Sequence, residues 1–158
     1  MNITVICVGK IKEKFFTDAI SEYLKRLSRF AKTEIIEVRD EKIPENASQK
    51  ECDIVLEKEG EAILSKIPKN SFVISMCIEG DQLSSEQLAD KIKYLSMEYS
   101  HITFIIGGSL GLADVIKVRS DLRLSFSEMT FPHQLMRVIL LEQIYRGFKI
   151  MRNESYHK

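Results

Sequence analysis

The chain has no tryptophan, three prolines, seven glycines and three cysteines, and each scarcity closes off a class of protein. Cys7, Cys52 and Cys77 are too few, and odd in number, for a disulfide scaffold. Set among apolar neighbours, they read as small buried hydrophobes in a reducing compartment. No linker rich in proline, glycine or serine divides the sequence, so the expectation is a single domain over residues 1–158. No apolar run approaches the roughly 20 residues that span a bilayer. Met1-Asn2-Ile3-Thr4-Val5 has neither the basic region nor the small-residue cleavage site of a secretion signal. These absences argue for a cytoplasmic location and against a membrane partner. No metal-ligand spacing stands out, so no metal is expected. Net charge is missing too: 23 Lys and Arg offset 23 Asp and Glu, which argues against non-specific gripping of nucleic acid.

What is present is a soluble, globular composition with an uneven charge distribution. From Lys117 onward, Lys117, Arg119, Arg123, Arg137, Arg146, Lys149, Arg152 and Lys158 outnumber Asp121, Glu128, Glu142 and Glu154. That stretch carries +4 and residues 1–116 carry −4. A basic end permits a localised anion or RNA surface without requiring one.

Short apolar runs alternate with amphipathic ones. Ile3 to Val8 reads as a strand buried on both faces. Phe16, Ile20, Tyr23, Leu24 and Leu27 recur at helical spacing. Ile35 to Val38 is a second strand, and Cys52, Val55, Leu56, Glu59 and Ile63 mark a helix weakened by Gly60. Phe72 to Ile78 is a third strand. Ser84 and Gln87 form a capping box for the next helix, with Leu83 and Leu88 as a hydrophobic staple. Ile102 to Ile106 is a fourth strand, running into Gly107-Gly108-Ser109-Leu110-Gly111. A short helical piece at Val115-Ile116, a fifth strand from Leu122 to Phe126 and a long helix after Pro132 complete the chain. Alternation of this kind implies an α/β fold, a mostly parallel sheet flanked by helices. Ligands bind such sheets beyond the strands' carboxyl ends. That points to Glu79-Gly80-Asp81, the Gly107 loop and the segment from Ser127 to Pro132.

Three glycines in five residues after a strand let backbone N–H groups approach a ligand, although a tight strand-to-helix turn needs the same glycines. The segment from Ser125 to His133 is unusually apolar for a surface loop and suits a pocket for a flat ligand, or simply core. His133 and Arg137, and Glu142 and Arg146, stand four apart on helix faces; such pairs serve structure as often as chemistry. Tyr156-His157-Lys158 is capable of stacking on a base, exchanging a proton and holding a phosphate, although chain ends are usually frayed.

Taken together, these segments resemble one family. They are the strand–Gly-Gly-Ser-x-Gly loop, the run from Leu124 to Gln134, Glu142-Gln143-Ile144-Tyr145-Arg146 and the terminal Tyr156-His157-Lys158. The family is the ribosomal RNA large subunit methyltransferase H family of the SPOUT class, whose opening residues Ile3 to Lys14 also resemble. The resemblance implies a SPOUT-type sheet with a C-terminal trefoil knot, a homodimer, and S-adenosyl-L-methionine as cofactor. It implies methylation at N3 of pseudouridine 1915 of 23S rRNA within the assembled ribosome. Its cofactor positions fall on Met76, Gly107, Phe126, Ser127, Glu128, Met129, Thr130 and Phe131. On the C-terminal motif, His157, Tyr156, Arg146 and Arg137 are the candidate catalytic residues. Arg137, Arg146, Arg152, Tyr156, His157 and Lys158 are the candidate RNA contacts. Met76 stands where relatives often have Leu, and Ser155 where some have Pro. On the residues alone three rivals stay open: a flavodoxin- or receiver-like module, a nucleotide-binding protein using the Gly107 loop, and a structural assembly factor. Val8-Gly9-Lys10 lacks the acids that a receiver needs after its first strand.

Overall fold

A computed structural model describes all residues, Met1–Lys158. The order is β1 (Asn2–Val8), α1 (Lys14–Leu27), β2 (Lys32–Val38), α2 (Gln49–Leu64), β3 (Phe72–Gln82), α3 (Ser85–Glu98), β4 (His101–Ile106), α4 (Asp114–Arg119), β5 (Leu122–Ser125) and α5 (His133–Met151). The strands form one sheet in the order β2-β1-β4-β3-β5, and every neighbouring pair is parallel. All carboxyl ends therefore lie along one edge. The return of the chain from β4 past β3 to β5 gathers the ends of β3, β4 and β5 there.

Helices cover both faces, as the near-continuous apolar strands require. On one face α1, α3 and α5 pack over a core containing Val5, Ile74, Ile92, Phe104, Leu140 and Ile144. On the other, α2 and α4 cover a smaller core with Ile6, Val8, Val73, Ile105 and Ile116. Three helices against two explains the unequal cores.

The capping box at Ser84 and Gln87 is present, each side chain bonding the other's backbone N–H. A second box at Ser48 and Glu51 starts α2 at Gln49, earlier than the apolar spacing indicates. Gly60 lies inside α2 because α4 crosses closely there: a Cβ would stand 3.1 Å from Ala113 and 3.2 Å from Val115. β2 begins at Lys32 rather than Ile35, as a half-exposed edge strand has no need of an apolar start. β3 runs on to Gln82, past the expected end at Ile78, because it bulges against β5. Met76 and Asp81 both face Leu124 across that irregular register. Gly80 makes the bulge feasible, since a Cβ there would lie 2.7 Å from the Arg123 backbone. β5 correspondingly stops at Ser125, which leaves Phe126 in the loop.

Candidate active site

A cavity of about 430 Å³ opens at the carboxyl ends of β3, β4 and β5. Met76, Gly107, Phe126, Ser127, Met129, Thr130 and Phe131 line it, as the motif positions lead one to expect. Glu128 does not line it and is exposed. Its volume lies within the range of sites that take a drug-sized ligand.

Two features make this a cradle for a ligand rather than a gap. A Cβ on Gly107 would sit 2.5 Å from the Gly111 carbonyl oxygen, so the floor closes only over glycine. Gly111 itself has φ +81°, which turns the loop back to bond Gly108. The loop after β5 is braced from within: Ser125 Oγ donates to the Ser127 carbonyl, and the Met129 N–H donates to Ser127 Oγ. The N–H groups of Phe126, Ser127, Glu128, Thr130 and Phe131 have no acceptor within the chain. A cavity walled by Met, Phe and Leu and edged by such donors fits an adenine ring, flat and apolar with polar edges.

Sequence reasoning missed part of the wall. Glu79 and Lys117 both line the cavity and pair at 2.5 Å. Hydrogen bonding to Lys117 holds the Glu79 carboxyl below the usual range and raises Lys117 in turn. The strand-end rule marked Glu79, but nothing in the sequence ties Lys117 to it. His133 and Met136 add the first turn of α5. Cys7 and Cys77 stay as thiols, since burial pushes Cys7 up to about 12 and Cys77 upward as well.

A groove of about 340 Å³ shares Leu124, Phe126 and Phe131 with this cavity and runs to Ser84, Ser85 and Gln143. Beyond it lies the C-terminal cluster. Asn153, with φ +52°, reverses the chain after α5 and brings the tail back along the helix. Glu142 Oε1 accepts from Arg146 Nε at 3.0 Å and from Tyr156 Oη at 3.2 Å. The Arg146 guanidinium also lies 4.7 Å above the Tyr156 ring. His157 sits between Arg146 and Glu86, the latter outside every motif named above. Tyr156 remains a neutral phenol, because burial first, and then Tyr23 and Glu142, push it up to about 12.

The other expected RNA contacts separate. Arg152 is exposed over the Phe30 ring, and Lys158 is exposed. Arg137 does not belong with them. It is 1% exposed, and its Nη2 donates to the Val8 and Gly9 carbonyls at 3.2 and 2.7 Å. Its Nη1 lies 3.8 Å from Glu37. An arginine so enclosed is out of reach of an RNA phosphate. The signal was in the sequence: Arg137 shares the stripe of Leu140, Leu141, Ile144 and Phe148, all inward.

Comparison with known proteins agrees with this geometry. The family model described as "Predicted SPOUT methyltransferase" matches residues 1–157. The chain is 58% identical to ribosomal RNA large subunit methyltransferase H of Bifidobacterium animalis subsp. lactis, over the full length of both. It is 57% identical to the protein of the same name from Clostridium beijerinckii, again over both full lengths. Among solved structures it resembles a probable methylase family protein from Haemophilus influenzae Rd KW20, with a TM-score of 0.52 and 12% identity. That match covers 99% of this chain and 70% of the other, and it bears on the fold alone. The chain belongs to the SPOUT methyltransferase family, in the branch of the ribosomal RNA large subunit methyltransferase H proteins.

Proposed function

We propose that this protein is an S-adenosyl-L-methionine-dependent methyltransferase acting at N3 of pseudouridine 1915 of 23S rRNA in the assembled ribosome. The observation that carries the reading is the cavity at the strand ends and the groove that shares its wall. A glycine-floored cavity with free backbone donors shares Leu124, Phe126 and Phe131 with a groove that runs to Gln143, the sequence neighbour of Glu142, and Glu142 ties together Arg146 and Tyr156.

Met76, Gly107 and the loop from Phe126 to Phe131 would hold the cofactor, with Glu79 and Lys117 at the wall. When bound, S-adenosyl-L-methionine supplies an electrophilic methyl group. The chain's own residues must then align the target nitrogen and receive its proton. N3 is a poor nucleophile while protonated, so a base able to accept that proton assists. His157 takes that role, and Arg146 steadies developing negative charge or a phosphate. Arg152 and Lys158 are exposed cations available to the RNA backbone. Positioning of substrate against methyl group supplies much of the rate.

Recognition of a folded ribosomal surface accounts for a neutral protein with a basic end. A homodimer, and the trefoil knot of the SPOUT class, belong to the same reading. No helix is long and apolar enough to cross a membrane, which accords with work on ribosomes in the cytoplasm.

Two experiments test this. Calorimetry should show binding of S-adenosylhomocysteine but not of ATP or FMN. Mass spectrometry of 23S rRNA from cells with and without the gene should show the methyl group on that pseudouridine only with it. Unchanged methylation in the deletion strain defeats the assignment.

A further inference from the structure

His157 is engaged at both ring nitrogens. Arg146 Nη1 lies 3.2 Å from Nδ1, and Glu86 Oε1 lies 2.6 Å from Nε2. A guanidinium only donates and a carboxylate only accepts. The contacts therefore assign the lone pair to Nδ1 and the proton to Nε2. Arg146 is itself fixed, because its Nε and Nη2 both donate to Glu142 Oε1. Nη1 is the one arm left over, and it covers the His157 lone pair.

Glu86 owes its position to the capping box. Ser84 caps α3, so Glu86 stands in the first turn, where the backbone N–H groups favour an anion. Its own backbone N–H first, and then His157 and Ser84, hold its carboxyl down at about 2. Charged and titratable groups face His157 from two helices: Glu86 from α3, and Arg146 and Glu142 from α5, beside the Tyr156 phenol.

We propose that Glu86 is the positioning residue of the proton-transfer site, anchoring His157 through Nε2 so that Nδ1 is the atom that accepts the substrate's proton. This rests on the reading of His157 as the base. When the substrate arrives, its N3–H replaces Arg146 Nη1 at Nδ1. The electron pair of the N3–H bond stays on nitrogen and the proton passes to Nδ1. The imidazolium keeps its Nε2–H on Glu86, whose negative charge faces the new positive one. Arg146 stays tied to Glu142 and is left free to meet the substrate's developing anion.

The pair is partly exposed, with Glu86 57% and His157 30% accessible, so the effect should be modest. On ribosomes from a strain lacking this gene, Glu86→Ala should lower kcat about five-fold. KM for ribosomes and the affinity for S-adenosylhomocysteine should not change. Glu86→Gln keeps an acceptor without the charge and should fall between the two. Nitrogen-15-edited NMR of the full chain should show a downfield His157 Nε2–H that is lost in Glu86→Ala. In a His157→Ala background, Glu86→Ala should remove nothing more.

Wild-type kcat in both Glu86 variants overturns the proposal. So does a loss that falls on KM, or one that persists undiminished in the His157→Ala background. A His157→Ala enzyme with normal turnover defeats the base reading itself and with it the proton role. The Nε2–H resonance then still shows whether the contact forms, which separates the two failures.

Discussion

Arg137 and Arg146 stand on the same helix and do opposite work. At the start of α5, Arg137 is buried, faces Glu37 and spends its Nη2 on two backbone carbonyls at the end of β1. Toward the other end, Arg146 is fully partnered, by a carboxylate, an aromatic face and an imidazole. Arg137 retains Nε and Nη1 without hydrogen-bond partners, a cost of burial that only a structural return offsets. The lesson is that charge in a sequence does not declare its use. An arginine on the inward stripe ties secondary elements together. One at the edge of that stripe, beside a returning tail, holds that tail and is the one proposed to meet a substrate.

Four measurements break or sharpen this contrast. Arg137→Ala should have the largest effect on folding, lowering stability by about 3 kcal/mol in chemical denaturation, through a cavity and two stranded carbonyls. Arg137→Met restores packing, so recovery of most of that loss would show that volume, not charge, holds the helix start. Arg146→Ala should do the reverse. Its midpoint of denaturation should move by less than about 1 kcal/mol, while turnover on ribosomes falls at least ten-fold, or about 1.4 kcal/mol in the barrier. Equal loss of stability in both variants would erase the distinction.

Smaller effects separate the parts of the tail. Tyr156→Phe keeps the ring beneath Arg146 but loses the hydrogen bond to Glu142, which is worth about 1 kcal/mol or less. A few-fold fall in turnover is expected, and no fall would show that the ring alone matters. The smallest effect is in pH. The folded-state value of Glu86 lies below its ordinary 4.5, at about 2. Its contribution to tail docking is therefore fully present above 4.5 and is lost as pH falls from there toward 2. Hydrogen exchange in residues 153–158 should accordingly differ between wild type and Glu86→Gln at pH 5. That difference should shrink as pH falls from 4.5 toward 2.

Much of the fold was legible because α/β chains announce themselves. Each buried strand is an apolar run, and alternation with helices requires parallel strands. Element boundaries were less legible where backbone geometry, not hydrophobicity, sets them. The extension of β3 to Gln82 depends on Gly80 passing against the β5 backbone, which no periodicity reveals. Motif residues located the cavity, whereas the pairing of Lys117 with Glu79 across two elements could not be read from spacing. Glu86 lies far in sequence from His157 and belongs to no motif. Only the reversal at Asn153 and the capping of α3 bring the two together. Arg137 could have been assigned inward from its stripe had the helix been read for burial before function.

The strand order also sets a sequence of events in time. β1 pairs with β2 across a short stretch of chain, Asn2 beside Lys32, but with β4 across a long one, Asn2 beside His101. β5 has β3 as its single neighbour, Ile74 beside Leu122, about half as far apart in sequence as β1 and β4. Contacts between distant stretches form slowly because loop closure must precede their reward. The Gly107 loop leaves β4, whose pairing with β1 spans the longest stretch of chain, and therefore takes shape late. A refolding chain would regain its helices and the β1–β2 pair first, and the β1–β4 pairing with the Gly107 loop beyond it last.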